Sequence, residues 1–130
     1  MSRALLDTSV FIARERRRPL GPLPDELAVS VVTIGELELG VLAAVGADQR
    51  ARRADTLALA RAADPIAITE AVMGAFARLT RDCREAGTRP KILDALIAST
   101  AIEHGLPVVT QDDDFAAMAR AHPRLLVERV

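Results

Sequence analysis

Ala4-Leu5-Leu6-Asp7-Thr8-Ser9 passes from three consecutive apolar residues straight onto an acid, and this step decides how the chain is read. Ala4, Leu5 and Leu6 read as a short strand buried on both faces, as in a parallel sheet covered by helices. Asp7 then falls at the strand's carboxyl end, where open α/β sheets hold their ligands. Working outward, the same setting recurs. Asp94 lies inside Ile92-Leu93-Asp94-Ala95-Leu96-Ile97, Asp112 follows Val108-Val109-Thr110, and Glu36 opens an apolar helical stretch. Carboxylates close to buried surface are costly unless a cation or donor compensates them, and Lys91 is the only lysine in the chain. The expectation is a metal-binding carboxylate cluster made by Asp7, Glu36, Asp94 and Asp112.

A length of 130 residues suits one domain, residues 1–130, large enough to bury a real core. Only 2% of residues are aromatic, with no Trp or Tyr, so the core is built of Ala, Val, Leu and Ile. That composition argues against a base-stacking platform of the RNA-recognition or OB type. A net charge of −1 excludes a uniformly basic nucleic-acid binder while leaving room for a local basic rim. Arg14-Glu15-Arg16-Arg17-Arg18, a turn or two beyond Asp7, reads either as a solvated helix end or as such a phosphate-contacting rim. Cys83 is the only cysteine, which excludes an internal disulfide and fits a reduced cytosol. No apolar run reaches the length of a signal peptide or a membrane span, so a cytoplasmic protein is expected.

Strand and helix signals alternate along the chain. After Asp7, Thr8 or Ser9 is expected to cap a helix through Glu15. Leu27–Val31 reads as a second strand. Thr33 and Glu36 form a capping-box pattern opening a helix to about Val45, with Glu38 on its opposite, solvated side. Asp48–Ala63 reads as an amphipathic helix with Leu57 and Leu59 inward. Pro65–Ile68 reads as a strand, and Thr69 caps a long helix over Glu70–Ala86 that stops at Gly87, with Met73 and Phe76 in the core. Pro90 starts the helix Ile92–His104, apolar nearly all round and therefore packed inside; Lys91 or Arg89 could be Asp94's partner there. Leu106–Thr110 and Leu125–Val127 read as strands flanking a helix over Phe115–Ala121, capped by Thr110 with Asp113. Such alternation predicts βαβ crossovers and a mainly parallel sheet between helical layers.

The chemistry follows from the donors. Hard divalent cations such as Mg²⁺ or Mn²⁺ take oxygen ligands, and Mg²⁺ keeps several waters, so a few carboxylates suffice. Zinc is a poor fit, because one Cys and two separated His cannot complete a tetrahedral site. His104 and His122 read as helix-end residues rather than a catalytic pair, and Cys83 has no evident base. No Walker A or dinucleotide glycine pattern is present. A carboxylate-bound divalent cation most naturally serves phosphoryl chemistry, by activating a water and offsetting charge on the phosphate. Hydrolysis of a phosphodiester is the leading inference. An aspartyl-phosphate phosphatase would need an Asp-x-Asp nucleophile or a late-strand lysine, and neither occurs. The remaining alternative is a non-catalytic cation- or partner-binding α/β module.

Leu5-Leu6-Asp7-Thr8-Ser9-Val10, Thr33-Ile34-Gly35-Glu36-Leu37, Leu93-Asp94-Ala95-Leu96-Ile97-Ala98 and Val109-Thr110-Gln111-Asp112-Asp113-Asp114-Phe115 together resemble a PIN domain of the VapC toxin family, over nearly the whole chain. The resemblance implies a three-layer α/β/α sandwich and a Mg²⁺- or Mn²⁺-dependent endoribonuclease toxin of a type II toxin–antitoxin system. It implies further a homodimer, neutralised by a VapB-type antitoxin in a heterotetramer or larger complex. Carried over residue by residue, it makes Asp7, Glu36, Asp94 and Asp112 metal-binding catalytic acids. Asp114 is the second choice for the last position, Asp113 is a capping residue, and Thr8 or Thr110 orients a metal-bound water.

Overall fold

The computed structural model describes residues 3–130; the first two residues of the expected 1–130 domain lie outside it. Its elements run in the order β1 (Arg3–Leu6), α1 (Thr8–Glu15), β2 (Glu26–Ala28), α2 (Val31–Leu42), α3 (Ala47–Arg61), α4 (Glu70–Glu85), α5 (Ile92–Glu103), β3 (Val108–Thr110), α6 (Asp114–Ala121) and β4 (Val127–Arg129). The four strands form one sheet in the order β2-β1-β3-β4, and every pairing is parallel. Strand β1 is central. Leu5 pairs with Ala28 on one side and Val108 on the other.

Period-two alternation along β1 feeds two cores. Ala4 and Leu6 point into a cluster with Val10, Phe11, Leu37, Leu57, Ala60 and Val109, beneath α1, α2 and α3. Leu5 points the other way, into a cluster with Leu79, Ile97, Ala98, Val108, Phe115 and Met118, beneath α4, α5 and α6. Helices therefore cover both faces, and the α/β/α sandwich with a parallel sheet follows from a strand whose Ala4, Leu5 and Leu6 are buried on both sides. Across the second layer, His122 Nδ1 lies 2.7 Å from Asp82 Oδ2 and ties the end of α6 to α4.

Several expected boundaries move, each for an identifiable reason. Asp7, not Thr8 or Ser9, occupies the position before α1. Helix α2 begins two residues before Thr33, because Ser30 Oγ accepts the Val32 N–H and is the true cap; the capping-box reading of Thr33 and Glu36 is thereby replaced. The strand expected at Leu27–Val31 accordingly stops at Ala28, and α2 ends at Leu42, short of Val45. Pro65–Ile68 supplies no strand, only a bridge in which Ile66 N–H donates to Val29 and Ile66 C=O accepts from Val31. The strand read from Leu106 begins at Val108, and the last strand is shifted to Val127–Arg129. Thr110 does not cap α6: Asp113 takes that position without a side-chain cap bond. Leu59 and Met73 are exposed rather than buried, as are Ile92 and Leu93 at 68% and 48%, so α5 is packed inside only beyond its first turn. Apolar identity misleads at these positions because they fall on the outer side of helices whose inner stripes are already complete.

Candidate active site

Asp7 is only 2% exposed although it stands at the sheet's carboxyl edge. Its backbone N–H donates to the Val109 carbonyl at 2.9 Å, extending the β1–β3 ladder by one residue and setting where the side chain starts. An acid before a helix ordinarily caps it. Here the carboxylate makes no cap bond and turns into the cleft instead. Oδ2 accepts two hydroxyl hydrogen bonds, from Ser9 Oγ at 2.6 Å and Thr110 Oγ1 at 2.9 Å. Those hydroxyls are held in turn by backbone donors: Gln111 N–H to Ser9 Oγ, and Asp112 N–H to Thr110 Oγ1. Every hydroxyl proton is thus committed, and Oδ1 takes neither bond.

Glu36 is held by a parallel device. Thr8 Oγ1 donates to Glu36 Oε1 at 2.7 Å, which leaves the buried Thr33 hydroxyl to donate to Thr8 at 2.9 Å. Thr33 is therefore a link from inside α2 to the acid on its next turn. Thr8 and Thr110 orient carboxylates with the protons that the sequence reading assigned to a bound water. Glu38 faces away and meets Arg61 at 3.8 Å on the surface.

The cleft that receives these groups has a volume of about 650 Å³ and is lined by Asp7, Glu36, Asp94, Asp112 and Asp114, with Arg18 and Lys91 among its walls. The four acids singled out in the sequence, and the alternative Asp114, therefore come to one place; Asp113 does not, and forms an ion pair with Arg129 outside. Burial and the negative charges of Asp7, Asp114 and Glu36 push the Asp94 carboxyl up to about 6. Asp112 is raised for the same reasons, first by lost hydration and then by Asp7 and Asp114. Lys91 offsets only part of this: its Nζ lies 3.8 Å from Asp114, on the exposed rim, and Asp94 has neither Lys91 nor Arg89 as an ion-pair partner. Negative charge in the cleft is under-compensated.

Among the described residues no three His, Cys, Asp or Glu side chains already close together as a metal-ligand set. The acids instead stand around an open volume as hard oxygen donors with excess charge. That is the donor chemistry a hydrated divalent cation needs, since such ions keep several waters.

Sequence reasoning missed Ser9, Thr33 and Gln111. The hydroxyl doublet directly after Asp7 was the available signal for Ser9. Gln111 carried none: its Nε2 donates to the Pro19 and Val130 carbonyls, tying the loop after α1 to the chain beyond β4, a contact across many residues. Within the arginine run Arg18 alone lines the acid cleft. It is turned there by a left-handed residue at Arg17 (φ +56) and by the Arg18 N–H bond to Ala13.

Fold and site together define a class: a three-layer α/β/α protein with a carboxylate cleft at the carboxyl edge of a parallel sheet. Comparison with known proteins narrows it. The PIN domain family matches residues 4–121. Ribonuclease VapC8 of Mycobacterium tuberculosis (strain H37Rv) is 61% identical over 99 residues, covering 75% of this chain and 88% of the relative. Ribonuclease VapC4 of the same strain is 50% identical over 118 residues, 89% and 91% of the two chains. Among solved structures, a member of the VapBC family of toxin–antitoxin systems, VapBC-5 from M. tuberculosis, is 39% identical with a TM-score of 0.87 over all of both chains. The chain belongs to the PIN domain family, and within it to the VapC ribonucleases.

Proposed function

We propose that this protein is the toxin of a toxin–antitoxin pair, an endoribonuclease that hydrolyses RNA phosphodiester bonds with a divalent cation held by Asp7, Glu36, Asp94 and Asp112. The observation that carries this reading is Asp7: a nearly buried carboxylate, fastened by two hydroxyls through one oxygen, facing acids that repel it. Such an arrangement is stabilised by a cation and by little else. Mg²⁺, or Mn²⁺ in its place, would supply an acidified water and neutralise charge on the scissile phosphate. Ser9 and Thr110 hold Asp7 in one orientation, and Thr8 does so for Glu36, so the donors are set before substrate arrives. Asp94, although its carboxyl is pushed up to about 6, is ionised at neutral pH and would meet the cation as a carboxylate. Arg18 at the rim contacts a non-bridging phosphate oxygen of the RNA. Asp114, paired to Lys91, shapes the far wall and is the alternative to Asp112 as fourth donor.

The partner is a small VapB-type antitoxin, as likeness to a solved member of the VapBC family supports; on this reading the toxin acts as a homodimer in the cytoplasm. Among the described residues no helix is long and apolar enough to cross a membrane.

The test is direct. Purified protein freed of any co-purified antitoxin is incubated with total cellular RNA in Mg²⁺ or Mn²⁺, beside Asp7→Asn and an EDTA control, and the new 5′ ends are sequenced. Discrete cuts that vanish in the variant and in EDTA are expected. Cleavage that survives either change overturns the reading.

A further inference from the structure

The acid cleft continues past Asp94. Ile92, exposed in the first turn of α5, lines the cleft on one side and a second groove on the other. This groove has a volume of about 480 Å³, and Phe76, Thr80, Arg84, Thr88 and Arg89 wall it. One turn creates it. Gly87 adopts φ +73 after α4, and the N–H groups of Gly87 and Thr88 return to the carbonyls of Arg84 and Cys83 at 3.1 and 2.9 Å. The chain reverses there, so Thr88 and Arg89 run back beside the last turn of α4.

Charge distinguishes this groove from the cleft beside it. No carboxylate lines it. Among the described residues neither Arg84 nor Arg89 forms an ion pair or a side-chain hydrogen bond. Two free guanidinium groups thus stand across an apolar ridge from a cluster of under-compensated acids. The groove also holds an aromatic ring. Of the three phenylalanines, Phe11 and Phe115 are buried in the two cores, whereas Phe76 packs against the core beneath α4, α5 and α6 and is partly exposed on the groove wall. Guanidinium groups, one ring face and two threonine hydroxyls are the parts from which single-strand sites are made: phosphate contacts, a stacking surface and donors for sugar or base edges. A phosphodiester strand led over repelling carboxylates needs cationic anchors on both sides of them. Arg18 stands on one side, and this groove on the other.

We propose that the groove binds the nucleotide adjoining the scissile bond, with Arg84 and Arg89 on its phosphates and Phe76 against its base. The inference rests on the ribonuclease reading of the acid cleft and deepens it: Phe76 is a specificity-determining residue, and the two arginines position the strand.

The experiment uses the full chain and a short single-stranded RNA carrying the cut site found in cellular RNA. Cleavage is measured over a salt series for wild type, Arg84→Ala/Arg89→Ala, Arg84→Lys/Arg89→Lys and Phe76→Leu. For the alanine pair, KM rises about tenfold while kcat changes little, and the slope of log kcat/KM against log salt falls by about 1.4, at roughly 0.7 for each single-strand phosphate released. The lysine pair restores the slope. Phe76→Leu keeps apolar bulk and loses the ring, so 5′-end sequencing shows relaxed base preference at one position beside the cut. Melting midpoints of both arginine double variants stay with wild type, because Arg84 and Arg89 are exposed. An unchanged KM and slope in the alanine pair, while wild type cleaves, overturns the proposal and leaves the ribonuclease intact. So does a changed solution mass with cleavage unaltered, which would make the groove a face between copies, or loss of antitoxin binding alone, which would give it to the antitoxin. A wild type that cuts no RNA overturns both readings.

Discussion

Asp94 shows how one residue trades stability for chemistry. Its folded-state pKa of about 6 lies above the ordinary carboxylate value near 4, so the folded protein holds this proton more tightly than the unfolded chain does. The sign follows from linkage: the metal-free fold loses Asp94's contribution as pH rises from about 4 through about 6, and is free of that penalty below. Because Asp94 is only half-buried, solvent screening reduces the penalty to about 1 kcal/mol. Asp94→Asn is therefore expected to raise the metal-free melting midpoint at pH 7.5, with the gain gone near pH 4, while abolishing RNA cleavage. A variant that melts lower than wild type at pH 7.5 would contradict the repulsion on which the cleft is argued. Thr110 makes the complementary case. Thr110→Val keeps the shape but removes the donor to Asp7 and the acceptor for Asp112 N–H, and cleavage should fall about 10–100-fold as is usual for groups that orient metal ligands. Measured kcat/KM in saturating Mg²⁺ decides it.

Short elements carry the site, and their ends matter more than their middles. Helix α1 ends at Glu15, is capped by Arg16 and reverses through Arg17, whose left-handed φ costs a residue with a side chain about 1 kcal/mol or more. That turn brings Arg18 to the rim of the cleft. Arg17→Gly should stabilise the fold by roughly 0.5–1 kcal/mol, read by urea denaturation, without moving Arg18. At α2 the cap is Ser30, fully buried, and Ser30→Ala should lower stability by about 1 kcal/mol. The sequence placed the capping pattern three residues late because Thr33-x-x-Glu36 satisfies the same pattern. Ser30 wins because Ile66 fixes the backbone on either side of it, accepting from Val31 and donating to Val29. Nothing local in residues 30–36 encodes that partner, and its consequence is functional: Glu36 moves from a cap to the second turn of a helix, where Thr8 can reach it.

For the whole molecule, the layers converge on a site that the apo protein holds under electrostatic tension, and a cation should relieve it. Divalent metal at about a hundred times its dissociation constant would add about 2.7 kcal/mol to the folded state. The melting midpoint of wild type should rise in Mg²⁺ or Mn²⁺ well beyond the response to an equal ionic strength of NaCl, and that of Asp7→Asn should not. How much of this was legible beforehand depends on range. The sequence by itself determined the class of fold, because Ala4-Leu5-Leu6 has no polar face and must be covered on both, and because helical and strand periods alternate along the chain. It also marked the four acids, since a carboxylate ending, opening or interrupting an apolar run is anomalous whatever surrounds it. Only the tertiary structure decided which hydroxyl holds which acid, that Arg18 and not its neighbours reaches the cleft, and that Phe76, packed against the core on one side, also lines a groove on the other. The physical reason is that burial and periodicity are local sums along the chain. The bonds from Thr110 to Asp7, from Thr33 through Thr8 to Glu36 and from Gln111 to Pro19 join residues whose separation in sequence carries no trace of their meeting.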